Sequence, residues 1–378
     1  MRGFWRLAAS LVFLGAASMA SAEIVVGVSI SATGPGASLG IPTRNTLDIL
    51  PKTIAGETVR LVILDDASDP ANGTRIVKKL ATEDRADIVI GSSVVPVAGA
   101  QAVAATELKV PFIALCPIAI DPVKQPFVFG VPQQVQMMVD AVADHMQAAG
   151  IKTVGFIGFT DAWGDLTLRA LTQAGRARGI HILDAERYAR TDTSVNAQVI
   201  KVMATHPQAM FVGGTGTPGA LPQIALVELG FKGPVYHTHG VVNQDFIRVG
   251  GRSAEGVIAP TGAVVVADQL PDGHPLKKVG VEFLKAYEGK YGAGSRNAFA
   301  GYAYDAYALV TAAVPAALKK AKPGTQEFRQ ALRDAIEALR EVPGTHAVYS
   351  MSPTDHNGVD KRGRVLVRVV KGEWRLMK

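Results

Sequence analysis

Ser92 and Ser93 stand side by side where a short apolar run, ADIVI (86–90), passes through Gly91 into a second apolar stretch, VVPVAG. Two adjacent hydroxyls at the end of a buried strand can grip an anion. Each offers an O–H donor, and a helix opening behind them adds free backbone N–H groups and the positive end of its dipole. The other chemistry-bearing sets carry less. GTGTPG (214–219) matches the G-x-G-x-x-G spacing of a dinucleotide loop, GPGASLG (34–40) approximates it, and Asp65-Asp66 imitates the ribose-binding acid. Pro35 and Pro218 each remove a donor from such a phosphate cradle. Glycines there serve equally well as tight turns facing a cleft. His237 and His239 alternate on one strand face, but no third ligand follows at a recognisable spacing, and DHNG (355–358) lies far off. Zinc needs three or four convergent ligands. Neither G-x-S-x-G nor H-E-x-x-H occurs, and Cys116 ends the apolar run PFIALC as a small hydrophobe. The expectation is a binding protein with no catalytic residue, metal or cofactor.

The elements that position these residues alternate β and α. Strands are expected at 23–30, 59–65, 86–91, 110–115 and 127–131, with helices near 38–50 and 69–84, the second capped by Asp69 with Pro70 at its first position. The pattern then restarts. Strands at 152–159, 180–188, 209–214 and 233–240 alternate with helices at 163–179, 194–206 and 218–229. Short Val- and Ile-rich runs apolar on both faces read as parallel strands covered by helices. Two tandem α/β units therefore stand at about 24–131 and 152–260, joined by right-handed crossovers. The last third offers helices at about 275–290, 298–321 and 325–341, then short strands at 345–351, 363–370 and 373–377. These leftovers return to finish both lobes, and several crossings between lobes make a hinge with a cleft. Ligands in open α/β sheets lie outside the carboxyl ends of strands. The loops there include 31–40, 92–97, 116–121, 160–165, 215–219 and 238–243.

Residues 1–22 combine Arg2 and Arg6 with the apolar LAASLVFLGAASMA and end in ASA, the pattern of a signal peptide cleaved after Ala22. Two of the 39 Lys+Arg lie in that segment and none of the 33 Asp+Glu, so the remainder carries 37 − 33 = +4. The charge is mild and dispersed, which argues against a nucleic-acid track while favouring anionic ligands. One cysteine permits no internal disulfide, and a chain this long buries enough apolar area without one.

The ordered series IVVGVSISATGPGASLG, LVILDDASDPANGTRIVKKLATEDRADIVIGSSVVPV, VGFIGFTDAWGD, MFVGGTGTPGALPQI, GYAYDAYAL and DHNG resembles the substrate-binding proteins of branched-chain amino acid-type ABC transporters. The resemblance implies a type I periplasmic-binding fold: two Rossmann-like lobes with parallel central sheets, joined by a three-crossover hinge. Lobe 1 would hold 23–133 and 262–342, and lobe 2 would hold 134–261 and 343–378. A monomer in the periplasm would trap a small molecule between them and deliver it to the membrane subunits of a permease. By the same resemblance Ser92 and Ser93 hold the ligand carboxylate. Ile118, beside Cys116 and Pro117, stands where amino acid binders carry a hydroxyl, and Trp163-Gly164 replaces a Tyr-Gly. Thr215 replaces an aromatic residue, and His239 stands where an acid pairs the ligand ammonium. With Leu39 as an apolar wall and Thr217 as a polar one, the set favours an aromatic carboxylate without an α-amine. Branched-chain amino acids are the alternative ligands. An exported enzyme or an amide-sensing regulator on the same fold is the alternative function.

Overall fold

Valine and isoleucine fill β1 (Ile24–Ile30), and all seven residues are buried. A strand apolar on both faces needs helices on each side. A computed structural model describes residues 23–377; the signal-peptide reading of 1–22 lies outside them. In it β1 is central to a sheet with β2 (Thr53–Ile54), β3 (Glu57–Asp65), β4 (Ile88–Ile90), β5 (Phe112–Ala114) and β6 (Val128–Gly130). The order is β2-β3-β1-β4-β5-β6, parallel from β3 to β6, with β2 an antiparallel hairpin partner of β3. Three helices make the crossovers: α1 (Ala37–Leu47), α2 (Pro70–Thr82) and α3 (Val95–Glu107). Asp69 caps α2 by accepting the Asn72 N–H at 2.6 Å.

The chain leaves β6 into α4 (Val135–Ala148) and builds the second sheet. It runs through β7 (Thr153–Phe159), α5 (Ala162–Arg178), β8 (His181–Tyr188), α6 (Asn196–Met203), β9 (Ala209–Gly213), α7 (Ala220–Glu228), β10 (Val235–His237), α8 (Gln244–Gly250) and β11 (Ile258–Thr261). After α9 (Lys277–Tyr291), α10 (Ala298–Leu318), α11 (Gln326–Glu337) and the ribbon of β12 (Val342–Pro343) with β13 (Val348–Tyr349), it returns as β14 (Val365–Val370) and β15 (Glu373–Leu376). The second sheet has the order β15-β14-β11-β10-β9-β7-β8. Strands β7 to β11 are parallel, whereas β14 pairs antiparallel with β11 and β15 with β14. The two sheets are therefore parallel in their centres and antiparallel at one edge each. The fold is the two-lobed α/β architecture that the alternation predicts. The strand β11 is an addition to it, short and interrupted by Pro260, which weakens its strand signal.

Two departures concern the later segments. The expected strand 233–240 stops at His237, and a 3-10 turn takes over at His239–Val241. His237 and His239 therefore do not share a strand face. His237 bonds Gln223 Oε1 at 3.0 Å, whereas the His239 ring meets Trp163 edge-on. The segment from 263 to 291 touches both lobes. Gln269 bonds the Leu376 N–H and Trp374 carbonyl on β15, while Tyr291 donates to the Asn45 carbonyl at 3.0 Å beside α1.

The crossings meet at a buried polar knot. Gln133, just past β6, donates to the Gly363 carbonyl at 2.5 Å and accepts from Tyr302 at 2.8 Å. His346 donates to the Ala298 carbonyl at 2.7 Å and stacks on Tyr302 with centroids 3.9 Å apart. Asp305 accepts the N–H of Thr345 at 2.5 Å, that of His346 at 3.0 Å and the Tyr349 hydroxyl at 2.7 Å. Gly262, just past β11, has no room for a side chain, because a Cβ would fall 1.9 Å from His346 Nδ1. Buried polar groups paired in this way favour one geometry, although His346 Nδ1 and Thr345 Oγ1 are left without a partner.

Burial holds three histidines neutral. It pushes His237 and His346 down to about 3 and His239 to about 4, while burial pushes Asp305 up to about 6. On unfolding, each histidine regains an ordinary pKa of ~6.5 and the aspartate one of ~3.9. Between about pH 4 and pH 6 unfolding thus adds a proton to each of these three histidines and removes one from Asp305, while His145 and His274, also pushed down by burial, shift the balance in the histidines' direction. The histidine contribution is fully present above pH ~6.5 and is lost on acidification, at a net ~3 kcal/mol per pH unit for two protons. The melting temperature should fall between pH 7 and pH 5, with a shallower slope for His237→Gln. A melting temperature that rises across that interval contradicts the assignment.

Candidate ligand-binding site

The carboxyl ends of both sheets face one narrow space of about 10 Å³, room for about one water. From the first sheet Ser93 follows β4, and Cys116 and Pro117 follow β5. From the second, Trp163 opens α5 after β7, Arg190 follows β8, Thr215 follows β9, and His239 and Gly240 follow β10. Val95 at the start of α3 and Phe299 in the first turn of α10 complete the wall. The two lobes touch beside it, where the Thr217 N–H donates to Ser38 Oγ at 3.2 Å.

Two glycines let helices start close to the strands that lead into them. A Cβ on Gly40 would lie 2.1 Å from the Ser31 carbonyl oxygen, and one on Gly164 would lie 1.9 Å from that of Phe159. Each therefore sets a helix down on the end of its own sheet, α1 beside β1 and α5 beside β7. This is why Trp163-Gly164 brings an indole to the cleft.

The serine loop divides its labour. Ser92 is fully buried and turned inward, its hydroxyl 3.1 Å from that of Ser31 and accepting the Val94 N–H at 3.3 Å. Ser31 and Ser29 donate to the buried Asp66 at 2.6 and 3.0 Å, and Gln101 donates to Ser29 at 2.6 Å. This buried chain braces the loop from behind. Ser93 is the hydroxyl that lines the space, 3.4 Å from Thr43 Oγ1.

Opposite, Arg190 makes a well-formed set of contacts. Its Nε donates to Asp161 Oδ2 at 2.6 Å, its Nη1 donates to Thr215 Oγ1 at 2.8 Å, and the guanidinium lies 4.1 Å over the Phe159 ring. The pair is mostly buried, with 12% of the arginine side chain and 23% of the aspartate exposed. Asp161 also caps α5 through the N–H groups of Trp163 and Gly164, at 3.0 and 3.3 Å. The acid nearest the site is thus fully engaged by a guanidinium and two amides.

The remaining groups are donors or neutral. The Trp163 indole N–H is buried without a hydrogen-bond partner, a condition rare in native interiors. His239 is 3% exposed and meets the Trp163 ring at 5.4 Å and 87°. Burial keeps it neutral, with its pKa pushed down to about 4. It therefore offers one N–H donor and one ring-nitrogen acceptor at pH 7, without a charge that repels an ammonium. Cys116 is also buried, and burial pushes its thiol pKa well up, so no thiolate nucleophile forms.

Of the residues singled out by sequence, the structure brings Ser93, Cys116, Pro117, Trp163, Thr215 and His239 together around this space. Ser92, Leu39, Ile118 and Thr217 stand outside its lining. Leu39 packs beside Gly216 at the lobe contact, Thr217 is the lobe contact itself, and Ile118 faces a larger neighbouring cavity. Val95, Arg190 and Phe299 complete the site without having been singled out. The G-x-G-x-x-G loop has its donors occupied: Gly216 N–H by the Gly240 carbonyl, Gly219 N–H by Thr215 and Gly216 carbonyls, and Thr217 N–H by Ser38. No phosphate cradle is left there. Among the described residues no group of three or more His, Cys, Asp or Glu has metal-binding geometry, and no helix is long and apolar enough to cross a membrane.

Comparison with known proteins follows the same lines. A family model described as periplasmic binding protein matches residues 23–373. An extracellular ligand-binding receptor from Rhodopseudomonas palustris HaA2 has a crystal structure 43% identical in sequence, covering 94% of this chain and 100% of its own, with a TM-score of 0.92. Leu/Ile/Val-binding protein homolog 3 of Brucella melitensis biotype 1 is 25% identical over 310 residues, 78% of this chain and 82% of its own. A solute-binding protein of an ABC transporter from Rhodopseudomonas palustris, solved with benzoate, shares the fold at a TM-score of 0.77 and 21% identity, covering 94% of this chain and 95% of its own. A match over residues 23–373, from β1 to the start of β15, makes this chain a member of the periplasmic binding protein family, a binding protein rather than an enzyme.

Proposed function

We propose that this protein is the periplasmic receptor of an ABC importer and that it binds a small aromatic carboxylate lacking an α-amine. The observation that supports this ligand is the donor-rich, acid-free lining of the cleft. Ser93, Thr215, Trp163, Arg190 and His239 supply O–H and N–H groups, and no carboxylate lines the space. Asp161, bonded to the lining residues Arg190 and Trp163, is engaged by that guanidinium and by the start of α5, and Asp66, behind Cys116, is engaged by Ser29 and Ser31. A buried ammonium without a carboxylate partner is costly, whereas a carboxylate gains a charge-assisted hydrogen bond from each aligned donor. Trp163, Phe299, Val95, Cys116 and Pro117 give the apolar and aromatic surface that an aryl body needs. Among relatives of the fold, one is named for leucine, isoleucine and valine and another was solved with benzoate, so the side chains of the cleft decide the class.

On this reading the lobes open about their crossovers to admit the ligand, since about 10 Å³ holds no ring, and close to present both lobes to the membrane subunits of the permease. Docking there is weak and polar, which suits a monomer released by export into the periplasm.

Calorimetry with benzoate, phenylacetate and cinnamate against leucine and valine tests the ligand class. The aryl acids should bind at micromolar Kd or better, and Ser93→Ala should weaken them by about 1.5–3 kcal/mol. Micromolar leucine binding with no heat from the aryl acids would sink the proposal. A complementary variant is His239→Glu, which sets a carboxylate where amino acid binders keep theirs. It should weaken aryl acids by roughly 100-fold or more, because two buried carboxylates then face each other. Unchanged aryl-acid affinity would show that His239 does not face the ligand.

A further inference from the structure

A second inter-lobe space lies directly beyond the ligand site. Cys116 and Pro117 line both, so these two residues form the partition. The space on the far side is about 500 Å³, large against the site itself. One wall is the loop after β5, including Ile118 and Ala119; the opposite wall is α5, through Leu166, Arg169 and Gln173. Anything held there touches both lobes.

Two unpartnered groups mark its chemistry. Arg169 has no hydrogen-bond or ion-pair partner among the described residues, unlike Arg178, Arg187 and Arg190 nearby in sequence, each of which is ion-paired. Asn357 donates to the carbonyls of Gly130 and Pro132 at 2.9 and 2.8 Å, yet its Oδ1 is buried without a partner. The carboxylate in the lining, Asp355, turns its Oδ1 to the backbone N–H groups of Asn357 and Gly358. The cavity thus sets an exposed, unpaired guanidinium beside the apolar loop of Pro117, Ile118, Ala119 and Ile120, with glutamines and Asn357 around them.

We propose that the ligand is longer than a single ring. Its first carboxylate lies between Ser93 and Thr215, and its far end passes Cys116 and Pro117 into the side cavity, where an anionic or hydrogen-bond-accepting group meets Arg169. This rests on the aromatic-carboxylate reading and narrows it to extended acids with a second acceptor at the distal end. Arg169 then acts as a specificity-determining residue, and the ligand bridges both lobes at two places. A guanidinium matches a carboxylate by two parallel N–H donors, which a terminal methyl cannot use.

Three probes of increasing reach test it on the purified full-length protein: benzoate, 4-butylbenzoate and 4-(3-carboxypropyl)benzoate. Calorimetry should give a gain of at least about tenfold for the butyl arm over benzoate, and a further gain for the carboxyl-terminated arm. Gln173→Trp, on the exposed face of α5, fills the cavity and should erase both gains while leaving benzoate affinity intact. Arg169→Gln should erase the second gain alone. Gly99→Leu narrows the adjoining inter-lobe cavity of about 420 Å³ against α3, which shares Ile118, Ala119, Leu166 and Arg169 with the first; lying on the far wall from Gln173, it should change none of the three affinities. Benzoate binding with no gain from either arm overturns the side compartment and leaves the ligand class standing. Gains lost in Gly99→Leu but kept in Gln173→Trp overturn its location. Failure of the wild-type protein to bind any of the three overturns both the compartment and the aromatic-acid reading.

Discussion

The contact between Arg190 and Asp161 organises the cleft. One carboxylate receives the guanidinium at 2.6 Å and two backbone amides at the start of α5. One guanidinium spans that carboxylate, the Thr215 hydroxyl and the face of Phe159. Through these contacts three separate strand ends of the second lobe, after β7, β8 and β9, are held in one arrangement. The same pairing removes the nearest acid from ligand chemistry. Breaking it by deleting the arginine would leave a partly buried carboxylate uncompensated, which is the costly direction for a buried pair.

The first lobe meets this with a stiff hydroxyl. Ser93 is presented by a loop whose other serine, Ser92, is tied into the Ser31–Asp66–Ser29–Gln101 chain. Rigid donors on both sides favour a ligand group that needs no reorganisation of the site. Neutral His239 and the unpartnered Trp163 indole add donors without adding charge. Beside the cleft, where His346 bonds the Ala298 carbonyl next to Phe299, Gln133, Asp305 and His346 join the crossings in a polar knot. The crossings therefore meet in one defined structure, with glycine at 262 because nothing larger fits against His346.

Much of this was legible in the chain. The β/α alternation, the restart after residue 131 and the capping of α2 by Asp69 follow from apolar period and local helix-start chemistry, which act over a few residues. The rule that ligands lie beyond strand ends pointed to the loops that carry Ser93, Cys116, Pro117, Trp163, Thr215 and His239, and the family resemblance singled out those residues within them. The same rule, applied to the loop after β8, reaches Arg190; the loop reads as ordinary surface charge because its acid partner is 29 residues away. Phe299 had no such signal, since it opens a helix outside the tandem units. Which of the paired serines faces inward depends on a buried aspartate 26 residues upstream, and spacing carries no trace of it. The short β11 and the antiparallel edge strands depend on what is left to cover once the parallel strands are placed. Tertiary context fixes them where local preference is weak.

The central claim is that the cleft accepts a carboxylate and has no place for an ammonium. Phenylpyruvate and phenylalanine share a carboxylate and a ring and differ at the α-carbon, so titrating both calorimetrically at pH 7 isolates the ammonium. The account predicts that the keto acid binds at least about 100-fold more tightly, the penalty for a buried cation without an acid partner. Phenylalanine binding as tightly as phenylpyruvate, or more so, would contradict it.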